Sequence, residues 1–376
     1  KFIPIVEVPL PPKPPDIADN AEARHEYRRR ATEVHNINAQ AFNKSCRTRM
    51  TMNAVQRFKN KDKFYCPWSL DYRGRAYPIP SYLTPQDTDF GKSLLKFHKQ
   101  SFMTPEAEQW LAFQVATASH LDKASMTERL TWVAENKDLI TRIAKDPIAN
   151  LSEWEGADEP WTFLAACDEY YHCVINCDRH YTNLPVAVDA TCSGLQILAG
   201  LARDASTAKL VNVLPSDRPQ DAYKVIAEQA KPHVPEHLRP YMDRKTTKRT
   251  VMTVPYNAKP FSNRSYIREA LKEKGIEVEK DDLTAVVKAV RDAMDVVVPG
   301  PMRVMKWIEQ EVSNAIDRGL DKLIWVTPSG FVVTQKLMKK DTKRIELQLL
   351  GRCKVTVVKG DTNEVDKNHH KNATAP

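Results

Sequence analysis

Residues 243–257 read Asp243-Arg-Lys-Thr-Thr-Lys-Arg-Thr-Val-Met-Thr-Val-Pro-Tyr-Asn257. Arg244 and Lys248 stand at i and i+4, so a helix puts both cations on one face, a turn apart. Tyr256 follows Lys248 by two further turns, roughly 12 Å along the axis. Cations that can hold phosphates, with an aromatic one nucleotide length away, describe a ruler for a nucleoside triphosphate. A basic pair at this interval is also what a solvated helix face looks like. Pro255 should end the helix near Val254 and leave Tyr256 just beyond it.

Upstream, Asn183-Leu-Pro-Val-Ala-Val-Asp189 is a mostly apolar run that ends in a carboxylate, followed by a small-residue turn and an apolar helix over 195–201. The pattern predicts a buried strand ending in an acid. A carboxylate there needs a helix to cap or a cation to hold, and a divalent metal suits it. Further upstream, Asp71-Tyr-Arg-Gly-Arg75 lies between short strands and turns over 64–85. Gly74 allows close backbone approach, with Arg73 and Arg75 placed for phosphates or sugars; an ordinary surface turn has the same look.

These three stretches, in this order and spacing, resemble the phage-type single-subunit DNA-directed RNA polymerases, nearest to those of podovirus-type bacteriophages. Asp189-Ala-Thr-Cys-Ser-Gly-Leu-Gln196 matches the family's motif A, and Arg244-x-x-x-Lys248 to Tyr256 matches its motif B. The resemblance implies a mostly helical α+β fold of the right-hand polymerase type. Residues 1–60 would be a connector and thumb remainder, 61–204 the N-terminal part of the palm, and 205–376 the fingers, with a specificity hairpin at about 335–360. It implies transcription by two-metal nucleotidyl transfer, with Asp189 holding Mg²⁺ and Arg244, Lys248 and Lys123 facing the triphosphate. Tyr256 would position the sugar, and Gly194, where related DNA polymerases carry glutamate, would leave room for a ribose 2′-hydroxyl. Arg73 and Arg75 would meet the template or hybrid, while Arg344, Arg352 and Lys354 would read the promoter. Implied partners are DNA, the RNA product and ribonucleoside triphosphates, for a monomer in the cytoplasm of an infected host cell. The family's His-Asp pair, which carries its second catalytic aspartate, is absent from this sequence, as is its N-terminal promoter-recognition domain. The expectation is an internal fragment, inactive by itself; the alternative is a non-catalytic nucleic-acid-binding module.

The 376 residues are enough for two or three domains, and a balance of 56 Lys+Arg against 48 Asp+Glu favours an anionic partner. No apolar run approaches the ~20 residues that cross a bilayer, and Lys1-Phe-Ile-Pro4 has no signal-peptide layout, so a soluble intracellular protein is expected. The seven cysteines include no C-x-x-C pair; Cys167, Cys173 and Cys177, with His172 and His180, are expected to be scaffold rather than a metal site. Pro9-Leu-Pro-Pro-Lys-Pro-Pro15 predicts an extended connector, and the proline-free stretch 19–59 one or two long helices. Helices are expected over 105–146, with Ser125 or Thr127 as a cap, over 218–231 capped by Ser216, and over 283–297 and 302–319. A strand–turn–strand unit is expected at 322–337, then an alternating hairpin over 343–359 with one polar face.

Overall fold

The computed structural model describes residues 7–347 and 353–374. The chain forms two compact units, one running to Asp71 and resuming over Ala76–Ala187, the other comprising Tyr72–Arg75 and Val188 onward.

In the first unit the long proline-free stretch is a single helix, α1 (Ala21–Phe58), opened by Asn20, whose Oδ1 accepts from the amides of Glu22 (3.0 Å) and Ala23 (3.2 Å). Strands β1 (Trp68–Leu70) and β2 (Ala76–Pro78) pair antiparallel, and a short helix α2 (Asp89–Ser93) follows. Asp87 ties α1 to this region: its fully buried carboxylate accepts from the amides of Leu83 (2.8 Å) and Thr88 (2.7 Å) and from Arg47 Nε (3.0 Å). Burial alone would raise its pKa, but the Thr88 and Leu83 amides and the Arg47 guanidinium outweigh it and hold the carboxyl below its ordinary range. Strand β3 (Ser101–Phe102) leads to the helices α3 (Pro105–Ser119), α4 (Met126–Glu135), α5 (Lys137–Lys145), α6 (Leu151–Trp154) and α7 (Pro160–Tyr170). Their core includes Leu111, Val115, Ile140, Ile143 and Phe163. Of the two possible caps for α4 it is Ser125 that serves, in a reciprocal capping box with Glu128. Past α7 the chain makes a π-helical turn, Tyr171–Ile175, and burial raises the pKa of the Cys167 and Cys173 thiols, the latter to about 11.

The expected buried strand ending at Asp189 does not form. Strand β4 is only Tyr181–Thr182, paired with β3, and 183–190 run outside any ladder, with Val188 76% exposed and Asp189 also exposed. An apolar run is buried only where neighbours cover it, and β3 ends at Phe102. The amide of Ala187 is met instead by Gln114 Oε1 at 2.9 Å.

The second unit opens with α8 (Ser193–Ala202), α9 (Ala205–Leu210) and α10 (Ala222–Ala230), then two 3₁₀ turns, Lys231–His233 and Glu236–Tyr241. Helix α11 (Arg244–Thr253) ends in a 3₁₀ turn, Val254–Tyr256, as Pro255 dictates. Helices α12 (Pro260–Glu273), α13 (Lys280–Val297) and α14 (Pro299–Asp317) complete a core that includes Ile226, Leu238, Val251, Ile267, Leu283 and Val290. Two expectations are corrected here. Ser216 donates to the Arg218 carbonyl (2.7 Å), and α10 is capped by Asp221, because Pro219 keeps the residue before it out of helical conformation. The Val298-Pro-Gly-Pro301 break is shorter than expected, since Pro299 occupies the first turn of α14, where its missing N–H costs nothing.

Gly300 lets its amide approach Asp204 Oδ2 (3.0 Å), and that carboxylate also accepts from Ser206 Oγ (2.6 Å), Thr207 Oγ1 (2.7 Å) and the Thr207 amide (3.1 Å). Burial pushes the Asp204 pKa up, but these four donors prevail and bring it down to about 2. A carboxyl with a folded-state pKa below its unfolded value stabilises above about pH 4, and the contribution disappears as pH falls toward 2. Asp204→Ala should therefore lower stability by about 1–2 kcal/mol at pH 7, allowing for partial solvent screening. Urea unfolding should show the gap from wild type narrowing below pH 4; a gap independent of pH would contradict this account.

Strands β5 (Leu323–Val326) and β6 (Val332–Gln335) form the expected strand–turn–strand unit. They are followed by a long antiparallel hairpin of β7 (Met338–Leu347) and β8 (Cys353–Val365), then α15 (Lys367–Thr374). Register pairs Arg344 with Thr356 and Glu346 with Lys354, so these four positions share one face. Cross-strand ion pairs Lys339–Glu364 and Lys340–Asp361 brace the other end of the hairpin.

Candidate active site

The second unit builds one side-chain constellation around α11 and α8. Asp243 caps α11, its Oδ1 accepting from the Thr246 amide (3.0 Å), and Lys274 Nζ lies 2.7 Å from the same oxygen. Thr246, Thr247, Thr250 and Val251 are buried, which turns Lys248 outward and leaves Arg244 at the edge of the packed face. Arg244 Nε donates to Asp221 Oδ2 (2.8 Å), and its guanidinium lies over the Tyr223 ring, 5.5 Å from the centroid. Lys248 makes no ion pair among the described residues and is exposed.

Tyr256 faces α8 from the turn after α11. A Cβ built on Gly194 would come within 3.0 Å of Pro255 Cβ and 3.2 Å of Tyr256 Cε2, so the tyrosine ring lies against bare backbone. The Tyr256 hydroxyl is 3.3 Å from Ser193 Oγ and accepts from Arg75 Nη2 at 3.4 Å. Arg75 arrives on the tip of the β1–β2 hairpin, where Gly74 turns the chain with φ 78° and Arg73 lies over the Tyr72 ring.

Asp189 sits at the start of the loop that enters α8. Its Oδ1 accepts from the following amide, Ala190 N (2.8 Å), and the side chain is exposed. The loop is braced on both sides of its turn. Asn212, in the left-handed region (φ 60°), donates from Nδ2 to Thr191 Oγ1 (3.1 Å) and accepts the Gln220 amide on Oδ1 (2.7 Å). Cys192, also left-handed (φ 53°), belongs to the same buried cluster as Tyr223, the ring under Arg244. Burial, then the neighbouring Cys192 thiol, raises the pKa of the Tyr223 phenol, which stays neutral. The loop carrying Asp189 thus enters, through Cys192, the core cluster that also holds Tyr223 beneath the cation that begins α11.

An exposed carboxylate is the hard oxygen donor that Mg²⁺ accepts, and Mg²⁺ is commonly held by one or two carboxylates together with substrate phosphates and water. No group of three or more His, Cys, Asp or Glu with metal-holding geometry occurs among the described residues. Asp189 offers one such exposed carboxylate.

The structure brings Arg75, Gly194 and Tyr256 into contact and puts Arg244 and Lys248 on the helix that ends at Tyr256. Lys123 belongs to the first unit, where its Nζ pairs with Asp122 (2.6 Å) in the turn between α3 and α4. Arg344 is exposed on β7; Arg352 lies outside the described residues, and Lys354 is described by its backbone alone. Ser193, Asp221 and Tyr223 were not foreseen. Asp221 had a local signal, a cap residue ahead of a helical stretch, but its bond to Arg244 spans 23 residues and leaves no trace in the sequence.

The profile of the DNA-dependent RNA polymerase family matches residues 102–376. The chain is 28% identical to the DNA-directed RNA polymerase of Enterobacteria phage K11 over 442 aligned positions, covering 100% of this chain and 48% of the relative. With T7 RNA polymerase of Escherichia phage T7 it shares 27% identity over 438 positions, 100% of this chain and 49% of the relative. The mitochondrial DNA-directed RNA polymerase of Homo sapiens is 30% identical over 366 positions, 89% of this chain and 29% of the relative. The chain thus spans about half the length of the phage relatives it matches. With its motifs assembled on α8 and α11 and the profile covering most of its length, the chain belongs to the DNA-dependent RNA polymerase family, of the phage T7 type.

Proposed function

We propose that this chain carries the nucleotide-selecting part of an enzyme that builds RNA on a DNA template. The observation that carries the reading is the contact of Tyr256 with Gly194, one residue beyond Ser193, at the end of a helix bearing Arg244 and Lys248. In this reading Arg244 and Lys248 neutralise the triphosphate, with Lys123 as a further cation. Tyr256 positions the sugar and the templating pair, and the bare backbone at Gly194 leaves space for a 2′-hydroxyl that a longer side chain would occupy. Asp189 would hold Mg²⁺, which when bound activates the 3′-hydroxyl and steadies the leaving pyrophosphate. Arg73 and Arg75 would meet the template or hybrid, and Arg344, Arg352 and Lys354 would read promoter DNA. Residues 1–60 are then the thumb remainder, 61–204 the first part of the palm and 205–376 the fingers. The cytoplasm of an infected host cell is the proposed setting, for a monomer; no helix among the described residues is long and apolar enough to cross a membrane.

The test is incorporation of labelled nucleotides by the full-length protein on double-stranded phage promoter DNA and on a primed template, with Mg²⁺. Templated RNA products are expected. Retarded migration of a DNA–RNA hybrid without incorporation would replace this reading by that of a binding module, and preferential use of deoxyribonucleotides would make the protein a DNA polymerase.

A further inference from the structure

Asn257, the residue after Tyr256, is buried and sits in the left-handed region at φ 63°, closing the 3₁₀ turn with its amide on the Val254 carbonyl (2.8 Å). Glycine reaches that conformation at less cost, so what asparagine adds here is its side chain. Both ends of that side chain are used. Nδ2 donates to the Lys371 carbonyl of α15 at 2.9 Å, across 114 residues of sequence, and Oδ1 accepts from Lys259 Nζ at 2.7 Å. Lys259 is itself held by Glu309 of α14 at 2.7 Å.

Helix α15 is fixed in turn to the foot of the β7–β8 hairpin. His370 is fully buried: its Nε2 accepts the Leu337 amide at 3.0 Å, and the Gln335 side-chain amide lies 3.0 Å from its Nδ1. Asp366, between the hairpin and α15, donates its amide to the Leu337 carbonyl (2.9 Å) and accepts the His370 amide (3.0 Å). Lys367 pairs with Asp317 at the end of α14 (2.6 Å). A left-handed asparagine needed only for its turn has no use for a partner so far along the chain.

We propose that Asn257 is a positioning residue for Tyr256: it anchors the turn to α15, and so holds the tyrosine ring against Gly194 from the foot of the hairpin. The inference rests on the reading of Tyr256 as the sugar-positioning residue. In the full-length protein, Asn257→Gly keeps the backbone conformation and removes both side-chain bonds. It should lower the ribonucleotide-over-deoxyribonucleotide preference in kcat/KM by about tenfold, mostly through KM, because a sub-ångström freedom at a positioning group costs about that much. Lys259→Met, which leaves Asn257 in place and releases one end of its amide, should give a smaller loss in the same direction and serves if Asn257→Gly does not fold.

The decisive comparison adds Tyr256→Phe. If Asn257 acts through the tyrosine, Asn257→Gly changes selectivity in the native background and changes it little in the Tyr256→Phe background. An equal change in both backgrounds, or folded Asn257→Gly and Lys259→Met proteins with native selectivity, would overturn the proposal. Native selectivity in Tyr256→Phe alone would overturn the underlying role of the tyrosine, a failure distinct from that of Asn257.

Discussion

Asp189→Ala should abolish templated RNA synthesis by the full-length protein, a fall on the order of 10³-fold or more, while DNA binding stays measurable. The effect is expected to be chemical, not structural. The Asp189 side chain is exposed and its hydrogen bond is to the amide next to it, so its removal gives up a solvent-competed contact worth well under about 1 kcal/mol. The loop keeps its bracing from Asn212 on Thr191 and from the burial of Cys192 in the core. Primer extension, gel retardation and thermal unfolding on one preparation separate the possibilities. Retained extension would remove Asp189 from the chemistry, and a large drop in melting temperature would reassign it to the scaffold.

Lys248→Ala carries the second large effect, about 10²-fold in kcat/KM for the incoming nucleotide with stability unchanged within about 0.5 kcal/mol. Lys248 is the sharper probe of the two α11 cations because it is exposed and makes no ion pair among the described residues. Arg244 is entangled with its surroundings, and its removal would strand the Asp221 carboxylate and uncover Tyr223. A Lys248→Ala protein that unfolds like wild type but loses nucleotide affinity assigns the residue to the triphosphate. One that elongates normally makes it the solvated helix face that its spacing also allows.

What the sequence disclosed follows the range of the interaction that set each feature. Helix α1 was legible because nothing in 19–59 breaks a helix, and the end of α11 because proline acts on its immediate neighbours. The two C-terminal hairpins were legible from turn residues and alternation. The stretch before Asp189 was not, because apolar composition states only that a strand can be buried, and the chain beside it decides whether it is. The start of α10 was missed by a few residues because Ser216 and Asp221 are both good caps and Pro219 chooses between them. At the candidate site, the motif residues stood out singly. Their partners did not, since Asp221 and Tyr223 for Arg244 and the Lys371 carbonyl for Asn257 come from distant segments brought together by packing.

The most direct test of the central claim, that α11 and Tyr256 form the pocket for an incoming ribonucleotide, is photocrosslinking. A ribonucleoside triphosphate bearing an aryl azide on its base, bound to the full-length protein with Mg²⁺ and a primed template, should label the peptide spanning 244–257. Labelling should centre on Tyr256 and be competed by the templated ribonucleotide more strongly than by its deoxy counterpart. Labelling confined to other segments, or equal competition by the two sugars, would contradict the account.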